Sequence, residues 1–277
     1  RRRLFQGTSS APLQGEWIAA RGREAAVAEG SLAQAPRAAS TANVIRIASN
    51  ENPLGPGQHV IDAIIGKFPE AGRYPFNAKD QEPVLIKALA GKFGVGNDQI
   101  VLGPGSSEIL VNAVRAFTSP EKPLALAWPT FENPRDTAKK IGTEVRAVDL
   151  DKDLRIDIDK LVEASKGAGL VFFCNPNNPT ATVHPADHVA DFVKRVRAAS
   201  PDTMILIDEA YHDYVTNPGY KSAIDIAKST PNVFITRTFS KAYGMAGLRL
   251  GYAIGAKEPI QMLNRYRMPY SVNLPTI

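Results

Sequence analysis

From Val44 onward, stretches with helical periodicity alternate with short runs of apolar residues. Apolar residues spaced three, four and seven apart predict amphipathic helices around Leu85, Ala88 and Leu89, around Leu110, Ala113, Val114 and Phe117, and around Val189, Phe192, Val193 and Val196. Between these stretches lie short runs typical of β-strands: Leu124–Ala127, Glu144–Val148, Leu170–Cys174, Met204–Asp208 and Val233–Thr236. Near-continuous apolar runs predict strands that are buried on both faces, and their alternation with helices predicts an α/β fold with a mostly parallel sheet.

Polar residues follow three of these runs at the point where each predicted strand ends. They are Asn175–Asn178, Asp208–Tyr211 and Thr238–Lys241. Because ligands bind beyond the carboxyl ends of the strands in open parallel sheets, these segments predict a ligand site.

Composition narrows the class of ligand. The 277 residues carry a formal net charge of +5, which suits a small anionic ligand and gives only weak support for nucleic-acid binding. Cys174 is the single cysteine, so the chain forms no internal disulfide. No apolar run approaches the roughly 20 residues of a transmembrane helix, so we expect no membrane-spanning segment.

The first 43 residues allow two interpretations. Arg2–Phe5 resembles a twin-arginine export signal, and Ala33–Ala35 has the small-x-small form of a cleavage site. Charged residues interrupt any apolar core between them, which instead favours an arm or a helix that packs on a partner subunit. We therefore expect either export to the periplasm or a cytoplasmic protein, and residues 1–43 carry no fold argument.

Lys241 is the most informative candidate for chemistry. It lies just beyond a predicted buried strand, beside the hydroxyls of Thr238 and Ser240, and Arg249 follows eight residues later. A lysine amine forms an imine with an aldehyde, and hydroxyls with an arginine hold a phosphate. An aldehyde that carries a phosphate suggests pyridoxal 5′-phosphate (PLP).

The other two strand ends offer groups that PLP requires, and each has a structural alternative. Asp208 could pair with a protonated pyridine nitrogen, or it could cap the next helix. Tyr211 could place a phenol over the same site, or pack as an ordinary aromatic. Asn178 could donate its amide to a phenolate oxygen, or simply belong to a proline-rich turn.

Further candidates precede these strands. The glycine-rich turn before Ser106 and Ser107 could bind phosphate at a helix N-terminus, or serve as an ordinary cap. Phe131 could stack on a flat ring, or be a core aromatic. Tyr74 lies in a polar, proline-bearing stretch from which it could reach a neighbouring site, or be only part of a loop.

Together these segments resemble fold-type I PLP enzymes, the class I/II aminotransferases, and most of all the histidinol-phosphate aminotransferase family. The resemblance is carried by Ser49–Gly55, Asn175–Thr180, Asp208–Tyr211, Thr238–Lys241 and Gly247–Gly251. It implies a three-layer αβα large domain with a mostly parallel sheet over residues 73–262. It also implies part of a small α+β domain in residues 44–72 and 263–277.

The resemblance also implies roles for the candidates. Lys241 would bind the cofactor covalently and then shuttle the substrate proton, and Asp208 would pair with the pyridinium nitrogen. Tyr211 and Asn178 would bond the phenolate oxygen, and Phe131 would stack on the ring. The phosphate would be held by Ser106, Ser107, Thr238, Ser240 and Arg249.

Three more residues concern partners and substrates. Tyr74 would reach the cofactor of a second subunit, which implies a homodimer with shared active sites. Glu51 and Asn52 would lie near the substrate entrance. The substrates would be an amino donor, with histidinol phosphate the family default, and a 2-oxo acid acceptor. Aromatic amino acids and other phosphorylated amines are also compatible with these residues.

The chain departs from the family pattern at two places. Ala181 stands where the family has glycine, and it costs roughly 1 kcal/mol if that position needs a positive φ. The chain also ends at Ile277, before the family's substrate-binding arginine. We therefore expect either a fragment or a protein without that anchor.

Two other functions stay open on the same site. One is a PLP-dependent decarboxylase or C–S lyase, because substrate orientation decides which bond at Cα breaks. The other is a non-catalytic PLP-binding fragment.

Overall fold

Seven strands form one central sheet in the computed structural model, which describes residues 47–75 and 84–277. The strands are β1 (Ile100–Gly103), β2 (Leu124–Trp128), β3 (Val145–Asp149), β4 (Leu170–Cys174), β5 (Met204–Asp208), β6 (Val233–Thr238) and β7 (Gly251–Gly255). Their spatial order is β1-β7-β6-β5-β4-β2-β3. Five neighbouring strands, β3, β2, β4, β5 and β6, are parallel, whereas β7 is antiparallel to both β6 and β1. This confirms the predicted α/β class with a mostly parallel sheet.

Helices cover both faces of the sheet. They are α1 (Gln58–Lys67), α2 (Val84–Phe93), α3 (Ser106–Phe117), α4 (Asn133–Lys140), α5 (Ile158–Ala164), α6 (Ala186–Ala199), α7 (Ile224–Ser229) and α8 (Lys257–Tyr266). Residues of α2, α5, α6 and α7 form one apolar cluster with the sheet, and residues of α3, α4 and α8 form the other. Successive β4 side chains alternate between the two clusters, as in a three-layer αβα arrangement.

The sequence pattern places most of these elements correctly. The runs Leu170–Cys174 and Met204–Asp208 coincide with β4 and β5, and β6 continues two residues beyond the predicted end to Thr238. The strand at Glu144–Val148 was predicted to be buried on both faces, and this is wrong. It is β3, a partly exposed strand at the edge of the sheet, and among the described strands it pairs with β2 alone.

The predicted face of α2 is also partly wrong. Ala88 is exposed, and the buried side chains of this helix are Ile86, Leu89 and Ala90. Successive residues of an α-helix are rotated by about 100°, so Ala88 lies on the side opposite Ile86. The faces predicted around Leu110 and Val189 point inward.

Residues 49–277 form one compact unit. The division at 72/73 and 262/263 stays a prediction, and the twin-arginine pattern lies outside the described residues. Within the described ranges, no helix has both the length and the apolar character to cross a lipid bilayer.

Candidate active site

The carboxyl ends of β4, β5 and β6 lie side by side and bring the three polar segments together. Cys174 pairs with Asp208, and Asp208 pairs with Thr236, so the segments that follow leave the sheet at one level. A cavity of about 430 Å³ opens there. Eleven of the predicted site residues line it: Glu51, Ser106, Ser107, Phe131, Asn178, Asp208, Tyr211, Thr238, Ser240, Lys241 and Arg249.

Lys241 presents its amine to this cavity. Its Nζ donates hydrogen bonds to the carbonyl oxygens of Ser49 and Asn50, both at 3.1 Å. Partial burial lowers the pKa of Lys241, the carboxylates of Glu51 and Asp208 oppose that change, and the charge of Arg249 adds to it. A lowered pKa makes the neutral, nucleophilic amine more accessible near neutral pH.

Asp208 ends β5 at the floor of the cavity, where it is only 2% exposed. Its Oδ1 accepts a 2.7 Å hydrogen bond from Thr236 Oγ1. Burial raises the pKa of Asp208 to about 6, because the charged form loses its hydration. Within the part of the chain that the structure describes, no basic side chain forms an ion pair with Asp208.

The neighbouring carboxylate, Glu209, has a different environment. Its Oε2 lies 2.9 Å from Arg237 Nη2 and accepts a hydrogen bond from Ser222, and its Oε1 accepts one from the Ala223 amide. Glu209 is thus a satisfied structural group that joins β5 to β6, whereas Asp208 faces the cavity and could receive a cationic ligand atom.

A cradle of hydrogen-bond donors lies at the other end of the cavity. Helix α3 begins at Ser106 after Gly105, and no side chain caps its first turn. Thr238 Oγ1 donates to Ser240 Oγ at 2.9 Å, and Arg249 Nη1 donates to the same Ser240 oxygen at 3.4 Å. Gly105 has φ +80°, which strains any residue with a side chain, and a Cβ atom there would also crowd the end of Arg249. Glycine therefore suits this turn, and the cradle suits a phosphate.

Tyr211 stands beside the amine. Its ring centroid is 5.5 Å from Lys241 Nζ, and its hydroxyl accepts a 2.9 Å hydrogen bond from Asn50 Nδ2. Burial raises the pKa of Tyr211, so the phenol stays protonated and can donate. Asn178 and Phe131 also line this cavity, and they contribute a polar side chain and an aromatic side chain.

Two predicted residues lie elsewhere. Asn52 Nδ2 donates to the Ala242 carbonyl at 3.1 Å, so it braces the loop after Lys241. Tyr74 is 76% exposed, and its ring lies 4.7 Å from that of Tyr270, away from the residues that line the cavity.

Three further groups at the site were not predicted from the sequence. The Ser49 and Asn50 carbonyls hold the lysine amine, and Glu132 lines the cavity. The only sequence signal for the first two was their place in the polar Ser49–Gly55 segment, since a backbone carbonyl has no side-chain signature. At Ala181, φ is +58°, so this position does require the left-handed region.

The sequence model of the family described as aminotransferase class I and II matches residues 42–277. Histidinol-phosphate aminotransferase 2 of Nitrosospira multiformis is 38% identical over 234 residues, which cover 83% of this chain and 57% of that protein. An aromatic amino acid aminotransferase of Cutibacterium acnes is 34% identical, with 83% of this chain and 64% of that protein covered.

The chain is also similar in structure to solved aminotransferases. The histidinol-phosphate aminotransferase of Sinorhizobium meliloti, in complex with pyridoxal-5′-phosphate, superimposes with a TM-score of 0.74 at 28% identity. The match covers 82% of this chain and 60% of that one. The chain spans 57% and 60% of the length of two curated relatives. On the family match, the chain belongs to the class I and II aminotransferases.

Proposed function

We propose that this chain functions as a PLP-dependent aminotransferase. The observation that carries the proposal is one cavity that contains a lysine amine, a site for a cation and a site for an anion. Asp208 offers a buried carboxylate at the floor, and the α3 N-terminus with Arg249 offers donors for an anion at the other end.

The residues fit PLP on this structure's own features. The uncapped first turn of α3 and the Gly105 contact leave a donor-lined cradle for the phosphate. Asp208 lacks an ion-pair partner among the described residues, which suits a protonated ring nitrogen. Phe131 also lines the cavity, and its ring would stack on the planar ring of the cofactor.

When bound, PLP supplies an aldehyde that condenses with primary amines and a ring that accepts electrons from the substrate Cα. Lys241 would hold the cofactor at rest. Its free Nζ would take the proton from the substrate Cα and return it on the other side of the substrate nitrogen, at the former aldehyde carbon of the cofactor. The lowered pKa of Lys241 serves this role, because the amine must be neutral to accept a proton.

The surrounding residues would fix and tune this chemistry. Asp208 would keep the ring nitrogen protonated, and Asn178 and Tyr211 would donate to the phenolate oxygen. The Ser49 and Asn50 carbonyls accept hydrogen bonds from Lys241 Nζ, so they would hold the amine in place whenever it is free.

The substrates we propose are an amino donor and a 2-oxo acid acceptor. The relatives are named for histidinol phosphate and for aromatic amino acids, and a histidinol-phosphate-like donor is our first choice. We also propose a homodimer in which Tyr74 contacts the cofactor of the other subunit. The exposure of Tyr74, away from its own cavity, supports that arrangement. No contact among the described residues favours decarboxylation or C–S cleavage over amine transfer.

Lys241→Ala tests the proposal. The purified, PLP-loaded variant should lose the visible absorbance of the lysine-bound cofactor and all amine transfer from histidinol phosphate to 2-oxoglutarate. After borohydride reduction, wild-type peptide containing Lys241 should carry the cofactor mass. Lys257→Ala is the matched control, since Lys257 pairs with Asp98 at the surface and should be dispensable. A Lys241→Ala protein that kept the absorbance would contradict the proposal.

A further inference from the structure

A second cavity, of about 550 Å³, adjoins the first. The two share Asn50, Asn178 and Tyr211 as lining residues, so they meet at the wall beside the lysine amine. The second cavity extends between the Asn175–His184 loop and residues 214–217. A ligand with its amine at Lys241 can therefore extend past Asn178 and Tyr211 into this space.

Arg155 is the single charged residue among the described residues that line the second cavity. Its backbone amide donates to Asp151 Oδ1 at 2.8 Å, and its Nη2 donates to the Val183 carbonyl at 2.7 Å. These two contacts fix the side chain from both ends. A guanidinium has five N–H donors, so most of this fork is not used by Val183.

The Arg155 guanidinium forms no ion pair with a carboxylate within the described ranges, and the nearby Asp151 carboxylate bonds its backbone amide instead. Arginines elsewhere, such as Arg237 and Arg195, do form ion pairs. A brace for the Val183 carbonyl would need only a neutral donor. A partly buried, fixed guanidinium in an otherwise uncharged cavity is instead suited to a planar or tetrahedral anion.

We propose that Arg155 anchors an anionic group, carboxylate or phosphate, at the end of the substrate remote from the reacting amine. The inference rests on the proposed aminotransferase function and names the substrate class of the same site. It is distinct from the cradle around Arg249, which lies in the first cavity and would hold the cofactor phosphate.

The test is calorimetric binding to PLP-loaded protein, so that the cradle is already filled. The ligands are imidazolylpropyl phosphate, imidazolylbutyrate and imidazolylpropanol, which lack the amino group and cannot react. They differ in carrying a phosphate, a carboxylate or a neutral hydroxyl. Arg155→Gln retains a donor for Val183 but removes the charge. Arg146→Gln is the control, because Arg146 also donates to a backbone carbonyl at 2.7 Å and lies outside both cavities.

In Arg155→Gln, the phosphate or the carboxylate ligand should bind about tenfold to a hundredfold more weakly, because hydrogen bonds to charged groups are lost. Imidazolylpropanol should change less than about twofold, and Arg146→Gln should resemble wild type. The more affected anion identifies the preferred group. Equal weakening of all three ligands, or unchanged binding of both anions, would overturn the proposal.

Two further measurements keep the outcomes separate. Arg155→Lys, which keeps the charge without the fork, should bind the preferred anion with intermediate affinity; a value equal to that of Arg155→Gln would contradict a charge-based anchor. Amine transfer by wild type is measured independently. Its absence would refute the proposed function, whereas an unaltered anion preference in Arg155→Gln would refute only the anchor.

Discussion

Asp208→Asn should make the cofactor-free protein more stable at neutral and alkaline pH. The folded protein raises the pKa of this carboxyl from 3.8 to about 6, chiefly through burial. At about 1.4 kcal/mol for each pKa unit, the difference corresponds to about 3 kcal/mol by which ionised Asp208 opposes folding. Asparagine has nearly the same shape and keeps an acceptor for the Thr236 hydroxyl, so it removes the charge with little repacking.

The sign of the pH dependence follows from the raised pKa. Below about pH 4, Asp208 is protonated in both the folded and the unfolded chain, and the variant should have no electrostatic advantage. Between about pH 4 and pH 6 the unfolded chain ionises first, so the stability of wild type falls relative to the variant. Above about pH 6 the difference should level off, at about 1–3 kcal/mol if the new amide loses a backbone contact.

Denaturant unfolding of both cofactor-free proteins between pH 4 and pH 8.5 measures this difference. Glu209→Gln is the matched comparison, since it leaves the buried Arg237 charge unpaired and should lower the free energy of unfolding by about 3–5 kcal/mol. If the difference between wild type and Asp208→Asn is independent of pH, the buried ionised carboxylate is not the source of instability, and our account of Asp208 is wrong. Added PLP should reverse the order, because wild type alone can pair with a ring cation.

Two positions with positive φ provide further predictions. Ala181→Gly should raise the melting temperature by about 2 °C, since φ is +58° there and relief of about 1–2 kcal/mol outweighs the flexibility of unfolded glycine. Calorimetric melting checks this, and an unchanged or lower midpoint would contradict it. Gly105→Ala should weaken PLP binding by about tenfold or more, because the new methyl group displaces the Arg249 guanidinium. Fluorescence titration with PLP checks this, and a wild-type dissociation constant would show that the cradle tolerates the methyl group.

The fold was predictable where apolar runs were long enough to leave a clear pattern. Strands β4 and β5 are continuous apolar runs that end in a polar residue or cysteine, and the sequence predicted their bounds. Strands β1 and β7 were not predicted from the sequence: β1 ends in glycine, and β7 has glycine at both ends, which weakens the apolar pattern of a strand. The spatial order of the strands was not readable either, because it depends on crossovers between residues far apart in the chain.

The candidate site was likewise predictable from the sequence only in part. Side chains at strand ends could be proposed from the sequence, since strand ends of a parallel sheet converge. The contact of Lys241 with the Ser49 and Asn50 carbonyls could not, because almost 200 residues separate the partners and the acceptors are backbone atoms. The position of Arg155 depends on two loops meeting, and nothing in its local sequence distinguishes it from a surface arginine.

The pairing of β7 with both β1 and β6 determines when, during folding, the chain can bind an anion. The turn at Gly105 follows β1, whereas Thr238 ends β6 and Arg249 lies two residues before the start of β7. The anion cradle therefore forms only when the two ends of a segment of roughly 150 residues have come together in the sheet. This step has a high contact order, because it joins residues that are far apart in the sequence. Ligands that carry a phosphate should therefore bind the fully folded protein and not its early folding intermediates. Such binding stabilises the folded sheet.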